Sequence, residues 1–354
     1  MNLSPKDQKI LYWGLSFTGF WTTCGLFIDG WAHTHDKVDI SFFTPYHGVL
    51  YSGLGASMAF LVFYMWKAAR TGLSWIHALS PSYRLAFMGG IVFMFGGVFD
   101  LLWHTLFGIE LDVEALYSPT HLMLAIGGML LGSGVFREAM RRSDASKLNF
   151  FRDFGVIISF TGFMATVLFF TQIAHPITNL WGGAEVRYNL QNQNAEWLFR
   201  QMGVTGVFLT TMILISGMYV LLSRWQLPFG IFTVYIGLTS IGMGFLYGTN
   251  DYPWSPVIAS IVGGMTIDVL YRVLQPSRVR VRELRQFLVV APMIPTTYYF
   301  ISLLLSSGIW WSVHFWTGAI AISGLSGLLM SYVFVPPELS YESSSDRRNQ
   351  SRNV

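Results

Sequence analysis

The sequence predicts an all-α, polytopic membrane protein of about ten transmembrane helices arranged as hairpins, with both termini cytoplasmic. Three observations predict it. Hydrophobic residues make up 53% of the 354 and charged residues only 12%, with a mean hydropathy of +0.47, a composition too apolar for a water-soluble domain. Apolar runs of about 20 residues, the length needed to cross about 30 Å of hydrocarbon, recur along the chain. The short loops between those runs alternate in charge.

Taken in order, the expected spans are roughly 10–30, 47–67, 85–107, 119–137, 154–175, 200–223, 228–248, 255–274, 285–306 and 310–335. Lys6 and Lys9 precede the first run, but no small-residue cleavage site follows, so it is expected to be a retained helix and not a leader. Basic residues follow the even-numbered spans: Lys67, Arg70 and Arg84, then Arg137, Arg141, Arg142, Lys147 and Arg152, then Arg224, then Arg272, Arg278, Arg280, Arg282 and Arg285. The intervening loops carry acids, among them Asp36, Asp39, Glu110, Asp112, Glu114, Glu185 and Asp251. Under the positive-inside rule the odd-to-even loops face outward. Residues 1–337 then form one transmembrane domain, and 338–354, rich in Ser, Arg and Asn, a disordered cytoplasmic tail. An inner (plasma) membrane location is implied, with the bilayer as the first partner.

The net charge of +3 is spread over short loops, which argues against a nucleic-acid partner. Cys24 is the single cysteine, so disulfides and thiolate metal clusters are excluded and any metal must use nitrogen and oxygen ligands. No HExxH, GxSxG or phosphate-binding glycine loop is present, nor the histidine boxes of membrane desaturases and hydroxylases. A weak internal repeat marks the starts of even spans: TPYHGVLYSG (44–53), SPTHLMLAIGGM (118–129), SPVIASIVGGM (255–265) and SVHFWTGAIAISG (312–324). Ser/Thr caps, early prolines and small-residue spacing are common membrane-helix features, so duplication is one reading and shared grammar the other.

Seven of the eight histidines, His33, His35, His47, His104, His121, His175 and His314, fall at the outer ends of spans, and only His77 on the inner side. Asp29 and His33 are four apart at the end of span 1, and His47 opens span 2; Asp100 and His104 are four apart at the end of span 3, and His121 opens span 4. Residues four apart share a helical face, so each Asp and His converge while the next helix returns a His to the same level. Imidazole and carboxylate suit a divalent transition metal, and three protein ligands leave a position open. The structural alternative is a pair of buried Asp–His hydrogen bonds holding hairpins together. His314, in the register of His47 and His121, is the next candidate ligand. His175, before Pro176, reads as a cap, His35 as solvated, Asp251 as a turn residue, and Asp268 as an intrahelical ion pair with Arg272. The aromatics at this level, Tyr51 included, read as an interfacial belt.

The D-x3-H, loop, H arrangement resembles one found in the copper membrane monooxygenases, the methane and ammonia oxidisers. In one membrane-embedded chain of those enzymes, an Asp and a His four apart on one transmembrane helix and a His on the next bind copper near the outer side. Asp29, His33 and His47 match it, and equally Asp100, His104 and His121; each match covers about 20 residues. The chain departs in its ten expected spans, its two trios and its longer interval between second and third ligands. The resemblance implies a copper-dependent oxidoreductase acting on a lipophilic small molecule. The residues alone also admit iron or zinc, a hydrolase with metal-bound water, a transporter or metal-handling protein, or b-haem held between histidines, and they leave oligomerisation open.

Overall fold

The computed structural model describes residues 3–37, 44–72, 74–108, 116–142, 146–188, 193–248 and 252–337. Among them are thirteen α-helices and no β-strand. The tail 338–354, and with it Asp39, Glu110, Asp112, Glu114 and Asp251, lie outside the described residues.

Four helices begin with one local grammar. Ser4, Thr44, Ser80 and Ser118 each precede a proline, and each side-chain oxygen accepts the backbone N–H three residues on, at 3.2, 3.1, 3.5 and 3.4 Å. Proline has no N–H to leave unpaired at the first helical position, and the hydroxyl satisfies one of the remaining orphan donors. These caps open α1 (Pro5–Thr34), α2 (Pro45–Ala69), α3 (Pro81–Phe107) and α4 (Pro119–Gly132). Helices α1 and α2 pack as one hairpin and α3 and α4 as another.

Helix α5 (Gly134–Arg141) continues α4 after a 45° bend. Ser159 of α6 (Phe154–Phe169) makes that bend. Its hydroxyl donates to the Gly132 carbonyl at 2.6 Å and accepts the Phe136 N–H at 3.2 Å, replacing the helical bond those groups would otherwise share. Two short helices follow, α7 (Pro176–Asn179) and α8 (Ala184–Tyr188), then α9 (Gln193–Arg224), α10 (Ile231–Leu246), α11 (Ser255–Leu274), α12 (Val281–Leu305) and α13 (Val313–Phe334). Helices α10 and α11, and α12 and α13, repeat the hairpin packing. Helix α1 is the hub, touching α2, α4, α6 and α10, and buried Leu11, Ile157, Phe160, Phe232 and Tyr235 fill the core around it. Phe17, Phe63, Met88, Phe95, Val98 and Leu102 stay exposed on the outside, as helices facing lipid require.

Six helices, α2, α3, α9 over Ala195–Arg224, α11, α12 and α13, are long and apolar enough to cross a membrane, and the bent α4–α5 pair makes a seventh. That is fewer than the ten expected. Helices α6 and α10 have 16 residues each, about 24 Å at 1.5 Å per residue, and while α6 is enclosed by other helices, α10 keeps Ile241 and Phe245 exposed. Helix α1 has 30 residues, but its tryptophans, threonines and glycines dilute its apolarity.

Asp268 also differs from expectation. Fully buried on α11, it accepts the N–H groups of Phe232 at 3.2 Å and Thr233 at 2.9 Å and the Thr233 hydroxyl at 2.6 Å. Helix α10 starts at Gly230, which has no side chain to cap with, so the carboxylate of a neighbouring helix does the capping. Arg272 lies instead over the Phe229 ring.

The α3–α4 hairpin is tightly packed at Gly127, where an added Cβ would come within 2.6 Å of the Phe93 nitrogen and 2.8 Å of the Gly89 carbonyl. At Gly55 an added Cβ meets nothing within 4 Å. Gly127→Val is expected to cost about 1–3 kcal/mol through overpacking, while Gly55→Ala stays within about 1 kcal/mol of the parent. Melting of the purified protein in detergent measures both, and equal melting temperatures would contradict the close approach.

Candidate metal centre

Near its C-terminal end α1 carries Asp29 and His33, and the cap at Thr44 fixes the backbone of His47 in the first turn of α2. The His47 Nε2 lies 3.4 Å from Asp29 Oδ2 and the His33 Nε2 3.9 Å from the same oxygen. Helices α3 and α4 repeat the arrangement. The His104 Nε2 lies 3.3 Å from Asp100 Oδ2, the His121 Nδ1 lies 3.6 Å from Asp100 Oδ1, and Ser118 caps at the His121 N–H. The histidine rings are 6.1 Å apart in the first trio and 5.9 Å in the second, tilted by 59° and 64°. In each group one ligand atom per residue falls within 4.8 Å of the others, so both could hold a metal ion.

Both acids are buried, Asp29 at 8% exposure and Asp100 at 1%. A carboxylate in such a place is costly unless it is paired or binds a cation. Asp100 is paired on both oxygens: Thr120 donates to Oδ1 at 2.7 Å, and His104 stands against Oδ2. Asp29 is not. Its Oδ1 is buried with no hydrogen-bond partner among the described residues, which is what a carboxylate awaiting a cation looks like.

The two trios open onto one space. Asp29, His33, His47, Asp100 and His121 all line a cavity of about 600 Å³, within the range of small-molecule sites. His33 of the first hairpin and His121 of the second line this same space. Leu26, Leu50, Phe93, Leu116, Leu124 and Phe169 provide apolar walls, and Gln172, Asn179 and Tyr247 close the side away from the two hairpins.

The other histidines stand elsewhere. His314 is exposed at the start of α13 and belongs to neither group. His35 stacks on Trp31 with ring centroids 4.6 Å apart and bonds the Trp31 carbonyl. His175 is buried and caps α7, its Nδ1 accepting the Ile177 N–H at 3.2 Å. Two residues of the site escape sequence reasoning. Thr120, which directly precedes His121, reads in the sequence as part of the helix-start motif. Tyr51, one turn beyond His47, reads as an interfacial aromatic, yet it lines the cavity, its ring 6.2 Å from His47 and 5.7 Å from Phe93, within the fields of both Asp100 and Asp29.

Two acids therefore differ in kind from a third. Asp268→Ala is expected to lower the melting temperature, because it strands two buried N–H groups at about 1–3 kcal/mol each, and to leave bound metal unchanged. His314→Ala should change neither. Elemental analysis beside thermal melting checks this, and metal lost from folded His314→Ala protein would contradict the assignment. No protein family, characterised protein or solved structure matches the chain.

Proposed function

We propose that the chain is a metal-dependent membrane oxidoreductase whose Asp29–His33–His47 and Asp100–His104–His121 trios serve a single substrate cavity near the extracytoplasmic face. One observation carries the reading: ligands from two hairpins line the same space, with apolar walls beside them. A copper, iron or zinc ion held by three protein ligands keeps a position open for water, oxygen or a substrate oxygen. Copper is favoured by the resemblance to the copper membrane monooxygenases. The apolar walls suit a lipophilic small molecule entering from the bilayer, which would meet polar groups at the trios and at Gln172, Asn179 and Tyr51. The net reaction proposed is hydroxylation by O₂ with an external two-electron donor, one oxygen atom entering the product and the other leaving as water. A hydrolase would use the same ligands without consuming O₂.

A second cavity favours transport as the other reading. It measures about 50 Å³ and is lined by His175, Thr210, Thr211, Thr239, Ser260 and Thr296, beside Pro292 and Pro295 inside α12. Interrupted helices and buried polar groups are what alternating access commonly uses.

Metal analysis of the purified protein tests the first reading. Stoichiometric copper or iron is expected, while zinc, which has no redox chemistry, would favour the hydrolase. Asp29→Ala and His33→Ala should each weaken retention at their own trio, and Asp100→Ala and His104→Ala at theirs, by more than the roughly 10–100-fold that loss of an outer hydrogen-bond partner costs. Wild-type protein that carries no metal and takes up none would end it. Metal or proton flux in proteoliposomes that survives loss of the trios would favour transport instead, and a Soret band in the purified protein would favour haem.

A further inference from the structure

The two trios look like copies, but their hydrogen bonding differs at one aligned position. In TPYH the residue before the second-helix histidine is Tyr46; in SPTH it is Thr120. Tyr46 packs edge-on against Trp31, 6.2 Å between centroids, and leaves Asp29 Oδ1 without a donor. Thr120 instead donates to Asp100 Oδ1 at 2.7 Å. The histidines differ too. In the first trio both Nε2 atoms face the same carboxylate oxygen. In the second, His121 approaches through Nδ1, and that nitrogen already lies 2.6 Å from the Ser118 hydroxyl.

We infer that the two trios are unequal metal sites: the Asp29–His33–His47 trio is the open one that loads first, and the Asp100–His104–His121 trio is held closed by Thr120 and Ser118. The inference rests on the metal reading above and adds an order to it. A divalent ion at the first trio takes the two Nε2 atoms and Asp29 Oδ2, which already converge, and its charge offsets the cost of a buried carboxylate whose Oδ1 has no hydrogen-bond partner among the described residues. An ion at the second must displace hydrogen bonds to a buried carboxylate and to a histidine nitrogen. A hydrogen bond to a charged group is strong enough for its loss to weaken binding about tenfold or more. The reactive, exchangeable position therefore belongs to the first trio, and the second acts at low metal as a hydrogen-bonded wall of the same cavity.

The probe is Zn²⁺ titrated into chelator-stripped, full-length protein in detergent against a chromophoric competitor, with Co²⁺ absorbance as a second readout of ligation. Two classes of site are expected, the second weaker by about tenfold or more. Asp29→Asn should abolish the tight class, and Asp100→Asn should leave it in place. Thr120→Val, which keeps the side-chain shape and removes the donor, should strengthen the weak class about tenfold, while Thr120→Ser should keep the wild-type gap. Two equal classes, loss of the tight class in folded Asp100→Asn, or a weak class unmoved by Thr120→Val would overturn the inference and leave the metal reading standing. No Zn²⁺ or Co²⁺ binding at all would overturn both.

Discussion

Asp29 and Asp100 are buried inside a largely apolar helical bundle, and much of the local architecture around them gives them partners. A buried acid near lipid without a donor or a cation is expensive. The partners arrive by two routes: one histidine from a turn further along the same helix, and one from the first turn of the next helix, set there by a Ser/Thr-Pro cap. The tight hairpins exist at this level because glycines such as Gly127 let the backbones approach. Local capping, helix pairing and site geometry are one structural solution used twice.

The two uses are not identical, and the difference has chemical content. Thr120 completes the Asp100 hydrogen bonding from within the protein, while Asp29 keeps a bare oxygen. Since both trios face one cavity, the molecule has a finished polar wall and an unfinished one across a shared space. Tyr51 lines the same space, near both acids.

The trios are legible in the sequence because their information is local. Four-residue spacing fixes one pair, and a short loop ending in a capped helix returns the third residue. The cavity is not legible, because Gln172, Asn179 and Tyr247 reach it from segments far along the chain. Hydropathy overcounts the spans for a related reason. It registers apolar residues without registering where a helix starts and stops, so α6 and α10, each only 16 residues long, read as full membrane spans in the sequence. Asp268 shows the same limit: its intrahelical neighbour Arg272 is visible at four residues, whereas the α10 N-terminus it caps lies some 35 residues away.

We propose that a metal ion belongs where Asp29, His33 and His47 converge. Anomalous difference density recorded at the metal edge from crystals of metal-loaded protein tests it most directly. A peak is expected about 2.0–2.2 Å from a carboxylate oxygen of Asp29 and from Nε2 of His33 and His47, with the Asp100 trio filling only at higher metal. A peak elsewhere, at His314 or His175 for example, or none at all in loaded protein, would contradict it.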